Sequence, residues 1–115
     1  MKEVVKLMDY RPDIKIVDAT LRDGGLVNNF RFTDEFVKDL YQTNIKAGVD
    51  VMEFGYKADK EMFDVKDFGK WKFCHEDAIQ KVLIDILDPK MQLAVMADVG
   101  RANVARDLPD KKDSI

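Results

Sequence analysis

The chain has 115 residues, 46% hydrophobic and 36% charged, which is enough for one modest core and too apolar for disorder. Its 19 basic and 22 acidic residues give a formal net charge of -3 without a Lys/Arg block, which argues against a nucleic-acid partner. No stretch approaches the ~20 apolar residues of a membrane span, and Met1 to Asp9 lacks the apolar core of a signal peptide. A soluble, cytoplasmic protein is expected.

Ile14 to Thr20 is a short β-branched run that reads as a first strand. Asp23-Gly24-Gly25 then reads as a loop that breaks it. Thr33 suits an N-cap, and Asp34 and Glu35 stand in a first turn where the helix dipole favours acids. Phe36, Val37, Leu40, Tyr41 and Ile45 recur at helical spacing, and Gly48 is placed as a C-cap, predicting a helix over 34–47.

Val49 to Phe54 forms a second predicted strand, closed by Gly55. Residues 56–73 show no period and carry Phe63, Phe68 and Trp71 among charges, which predicts an active-site or interface loop. The stripe of Ala78, Ile79, Val82, Leu83, Ile86 and Leu87 predicts a second helix from His75 to Leu87, ended by Asp88-Pro89. Gln92 to Ala97 is a third strand, Asp98-Val99-Gly100 opens another loop, and residues 107–115 read as a polar tail. Cys74 is the only cysteine, which rules out an internal disulfide; it reads as a buried thiol in preference to a nucleophile, since an adjacent His75 does not place an imidazole on it.

The expected order is β-α-β-α-β, an α/β arrangement with parallel strands and right-handed crossovers. Whether the sheet is open or closed into a barrel, chemistry gathers at the carboxyl ends of its strands. Those ends carry Arg22, Asp23, Glu53 and Asp98. A neighbouring Arg and Asp suit a substrate oxyanion and a hard divalent cation, and they equally suit a turn acid beside a surface arginine.

Asp18-Ala19-Thr20-Leu21-Arg22-Asp23-Gly24-Gly25 resembles the first-strand signature of the metallolyase (β/α)8-barrel superfamily. That group includes isopropylmalate synthase, hydroxymethylglutaryl-CoA lyase and 4-hydroxy-2-oxovalerate aldolase. Gly48 to Gly55 resembles the second strand of the same group. The resemblance implies the N-terminal portion of a TIM barrel, closest to the aldolases, cleaving a carbon–carbon bond of a 2-oxo acid through a metal-stabilised enolate. It implies that Arg22 steadies the enolate, Asp23 binds Mn2+ or Mg2+, and Glu53 stands behind them in the site. Asn28, Asn29 and Asp98 are candidate substrate contacts, and Asp18, Gly24 and Gly25 shape the strand end. An acyl-CoA condensing synthase of the same superfamily is the alternative chemistry.

Two positions depart from that pattern. Leu26 stands where the aldolases carry a catalytic histidine, and His75, the one histidine, does not form the His-x-His pair that completes the family's metal site. Three strands supply less than half of a barrel of about 250 residues. The expectation is an N-terminal piece of a longer enzyme, inactive in isolation. A homo-oligomer that completes the sheet, or a non-catalytic interaction module using loop 56–73, is the competing expectation. A nucleotide-binding Rossmann-like domain is disfavoured, because Asp-Gly-Gly lacks the G-x-G-x-x-G spacing.

Overall fold

A computed structural model describes residues 13–113, so the reading of Met1 to Asp9 lies outside the described residues. Three parallel strands form one sheet in the order β1-β2-β3: β1 (Val17–Asp18), β2 (Val51–Tyr56) and β3 (Gln92–Met96). Between β1 and β2 lie two helices, α1 (Thr20–Asn28) and α2 (Asp34–Ala47). A long connection, a 3-10 turn at Lys70–Lys72 and α3 (Glu76–Leu83) link β2 to β3, and a short α4 (Val104–Asp107) follows. The arrangement is α/β, and its sequential parallel sheet is consistent with part of a barrel.

α2 falls where the sequence places it. The Thr33 hydroxyl accepts the Phe36 N–H at 3.1 Å, and Gly48 closes the helix in the left-handed region at φ 81°. α3 is shorter than its apolar stripe, ending at Leu83, with Ile86 N–H turning back to the Leu83 carbonyl. β1 has only two residues, but Ile16 extends its pairing: the Ile16 N–H donates to Asp50 Oδ2 at 2.7 Å, and the Ile16 carbonyl accepts from Asp50 and Val51.

The segment around Asp23-Gly24-Gly25 corrects the expected loop, because it is helical, and the order is β-α-α-β-α-β-α. Asp18 starts this helix by accepting both the Thr20 hydroxyl (2.6 Å) and the Thr20 N–H (3.4 Å). Leu21 and Gly25, one turn apart, form its buried face. Helical glycine costs about 1 kcal/mol against alanine, and at Gly25 the reason for accepting it is space. A Cβ there would stand 2.0 Å from the buried Phe30 ring. Asn29 and Phe30, both left-handed at φ 57° and 60°, then turn the chain out of the helix.

Met52 and Phe54 of β2, Val37 and Tyr41 of α2, and Ile79, Val82 and Leu83 of α3 share one core with Leu21, Phe30 and Trp71. α2 and α3 therefore bury their stripes on the Met52–Phe54 side of the sheet. Tyr41 links the layers by accepting the Asp88 N–H at 2.9 Å. Within the expected polar tail, Lys111–Asp113 forms a 3-10 turn and Leu108 is half-buried. Among the described residues, no helix is long and apolar enough to cross a membrane.

Candidate functional site at the strand ends

β2 has an irregular register that shapes this site. Glu53 pairs with Ala94, but Tyr56 pairs with Met96, so three residues of β2 match two of β3. The extra residue reverses the usual alternation and brings Tyr56 to the same side as Glu53. Gly55 absorbs the bulge at φ 154°, and a Cβ there would lie 1.9 Å from the Trp71 carbonyl oxygen. The second strand and the 3-10 turn therefore meet backbone to backbone.

α1 lies against β2 and directs Arg22 at this bulge. Arg22 Nε donates to Glu53 Oε2 at 2.5 Å, with both side chains largely enclosed (25% and 18% exposed). The bond to Glu53 raises the Arg22 guanidinium above its ordinary value against partial desolvation, and the Tyr56 hydroxyl adds to the effect. Arg22 is a fixed cation. Asp23, one position on, points to solvent at 74% exposure, and its Oδ1 lies 3.9 Å from Arg22 Nη1. At that separation in water the pair contributes at most about 1 kcal/mol.

The other candidates take different places. Asn28 Nδ2 donates to the Arg31 carbonyl at 3.0 Å, and Asn29 is the left-handed C-cap of α1. Asp98 lies two residues beyond the end of β3 and pairs with Arg101 at 3.4 Å. Gly24 makes ordinary contact with Phe32, whereas Gly25 is closed against Phe30. His75 is exposed at the N-cap of α3; partial desolvation, then Lys60 and Lys57, lower its imidazole from the ordinary value. Arg22 and Glu53 are brought together with Tyr56, a residue the sequence reading missed. The signal was Gly55 inside a strand pattern, which marks a bulge.

A divalent-cation site is incomplete in this set. Mg2+ asks for octahedral oxygen ligands, and among the described residues no group of three His, Cys, Asp or Glu side chains could hold a metal ion. Glu53 is engaged by Arg22, which leaves Asp23 as a single outward carboxylate. The residues present do not fit a resident metal by themselves.

Two lysines flank the bulge. Lys57 is buried and its ammonium is held by both carboxylate oxygens of Glu76. Lys72 is as buried, at 8% exposure, and has no carboxylate within ion-pair distance among the described residues. Its Nζ lies over four rings: Phe63 at 4.2 Å, Tyr56 at 5.0 Å, and Phe30 and Phe68 at 5.2 Å from their centroids. Such contacts return ~0.5–2 kcal/mol each at best, against a penalty of several kcal/mol for drying an ammonium. Burial, reinforced by Arg101, accordingly holds Lys72 below the usual lysine value, with Asp98 opposing.

The fold and this cluster define an α/β unit of parallel strands and covering helices, with a fixed guanidinium–carboxylate pair at its strand ends. Over 103 residues, 90% of its own length, the chain is 26% identical to 4-hydroxy-2-oxovalerate aldolase 6 of Rhodococcus jostii (strain RHA1). It spans 29% of that protein's length. No family model matches the chain, and no solved structure matches it. The likeness is distant and points to a lyase-family origin.

Proposed function

We propose that the Arg22–Glu53–Tyr56 cluster is the oxyanion-holding part of a carbon–carbon lyase site for 2-oxo acids of the 4-hydroxy-2-oxovalerate kind. The supporting observation is the 2.5 Å Arg22–Glu53 bond within β2, where its bulge begins. By occupying Nε, Glu53 fixes the guanidinium plane and leaves the Nη groups to donate elsewhere. When a 4-hydroxy-2-oxo acid breaks its C3–C4 bond, negative charge moves onto the 2-oxo oxygen, and a preset cation there lowers the barrier. Glu53 is a positioning residue in this reading, and Arg22 is the group that touches the oxyanion.

The chemistry also needs a base, and Leu26 leaves that role without a residue. The superfamily resemblance calls for Mn2+ or Mg2+, with Asp23 as one ligand; the remaining ligands would have to come from outside the described residues. This chain by itself should therefore bind the product-like anion without turning substrate over. Calorimetric titration with oxalate, a mimic of the pyruvate enolate, tests the first part. Binding that weakens at least about tenfold in Arg22→Ala, the ~1.5–3 kcal/mol of a charged hydrogen bond, supports the site. Equal binding by both proteins would refute it. Mn2+-dependent pyruvate release by the 115-residue chain would refute the second part.

The exposed Ile14, Ile16 and Val17 on the β1 edge support a homo-oligomeric assembly. Sedimentation velocity across a concentration series tests this, and a monomer throughout would exclude it.

A further inference from the structure

We propose that residues 60–68 form a strap that swings between fixed ends and closes over the face beside Tyr56, latched by the Lys72 ammonium. The inference is independent of the lyase reading, because it concerns how this face is covered and not what binds there. Three observations carry it. The first is how the segment is attached. At one end the Asp59 N–H donates to the Arg101 carbonyl at 2.8 Å, and at the other the Gly69 N–H donates to the Asn29 carbonyl at 2.8 Å. Between them the strap's own backbone N–H groups return to the carbonyls of Asp59 and Asp64, and among the described residues none reaches a strand or helix.

The second observation is what points inward. Residues 60–68 are exposed except for Phe63 and Phe68, whose rings meet edge to face at 5.8 Å. The buried Lys72 places its Nζ 4.2 Å and 5.2 Å from their centroids. Phe30 and Tyr56 hold the same ammonium from the body of the fold, at 5.2 Å and 5.0 Å. Cation–π attraction acts on the charged amine, so the four rings oppose the effect of burial and tie strap to body through that charge. The third is a separate, exposed clasp: Arg106 of α4 reaches Asp59 at 2.9 Å and Glu61 at 2.8 Å. Beneath Phe63 lies a void of about 10 Å³, bounded by Tyr56, Asp98 and Arg101. Lifting the strap bares the Tyr56 ring and Lys72 without breaking any strand or helix, so this opening costs less than opening the core. The two latches answer to different conditions, because salt screens the exposed Arg106 pairs far more than the buried ring contacts.

The experiment is acetylation of the intact folded chain with an uncharged N-hydroxysuccinimide ester at pH 8 across low urea, read at each lysine by peptide mass spectrometry. The exposed Lys46, Lys81 and Lys90 calibrate the reagent, and iodoacetamide alkylation of the buried Cys74 reports opening of the core. The expected result is protection of Lys72 at least about tenfold weaker than that of Cys74, with a shallower dependence on urea, as an opening that bares little surface gives. Arg106→Gln should speed Lys72 about two- to fivefold, the range of exposed ion pairs, and leave Cys74 unchanged. Added sodium chloride should act likewise on the unaltered chain and add nothing in the variant. Lys72 as reactive as Lys46 would mean that nothing covers it, and equal protection and urea dependence of Lys72 and Cys74 would mean that it opens only with the core. Either result overturns the strap, as would a Lys72 rate unchanged by Arg106→Gln.

Discussion

Cys74 and Glu53 show how burial sets the chemistry of single residues in this chain. Burial pushes the Cys74 thiol up to about 12 from 9.0, with Glu76 adding to the shift and Lys57 opposing it. The folded state thus keeps a proton that the unfolded state releases above pH 9. Stability should fall as pH rises through the window from 9 towards 12, by up to ~1.4 kcal/mol per unit. Urea midpoints at pH 8 and pH 10 measure this, and the excess loss should be smaller in Cys74→Ala. The same burial predicts that iodoacetamide at pH 8 modifies Cys74 only in urea. At Glu53, substitution by Gln keeps the shape but removes the charge that holds Arg22, and should cost about 1–2 kcal/mol in urea denaturation. That the Cys74 thiol is buried was legible from a lone cysteine whose adjacent His75 gave no reason to place an imidazole on it. The partnership of Arg22 with Glu53 was not, because it spans 31 positions and depends on the angle at which α1 meets β2.

At the scale of elements, α2 was the most legible, since a cap, an apolar period and a closing glycine all agreed. α1 was the least legible. Asp-Gly-Gly carries the composition of a turn, and what makes it helical lies elsewhere: Asp18 collecting Thr20 at one end, and Phe30 filling the space beside Gly25. The two glycines therefore make opposite predictions. Gly24→Ala meets only Phe32 at 3.8 Å and should stabilise by ~0.5–1 kcal/mol, the ordinary gain of alanine over glycine in a helix. Gly25→Ala must displace a fully buried ring and should destabilise by ~1–3 kcal/mol. Thermal unfolding of the two variants decides; a matching sign would mean that α1 does not pack against Phe30. The β2 bulge was not read, because Gly55 was taken to close the strand, whereas β2 runs on through it to Tyr56.

Across the whole molecule, the parallel order and its alternation with helices followed from periodicity, and the sheet bears them out. Which charged groups would meet did not follow, since that is fixed by packing across the sheet. Trp71 is the chain's one tryptophan, fully buried with its ring 5.6 Å from that of Phe54, so its fluorescence reports the junction of strand, turn and helices. If these elements share one core, urea transitions followed by tryptophan emission and by far-ultraviolet circular dichroism should coincide. An earlier fluorescence transition would mean that the turn carrying Lys72 melts ahead of the sheet.

The contact of Gly55 with the Trp71 carbonyl, and of Gly69 with the Phe30 carbonyl, has a consequence for how this chain tolerates change. Most crowded positions can be rescued by trimming a neighbouring side chain, but here the neighbour is main chain, which no substitution shortens. In a library of random variants sorted for folding, positions 55 and 69 should stay glycine almost without exception. Position 25, which faces a ring, should drift whenever residue 30 becomes smaller. The geometry that joins the Glu53 strand to the Lys72 turn is thus written into two codons that selection has no second way to satisfy.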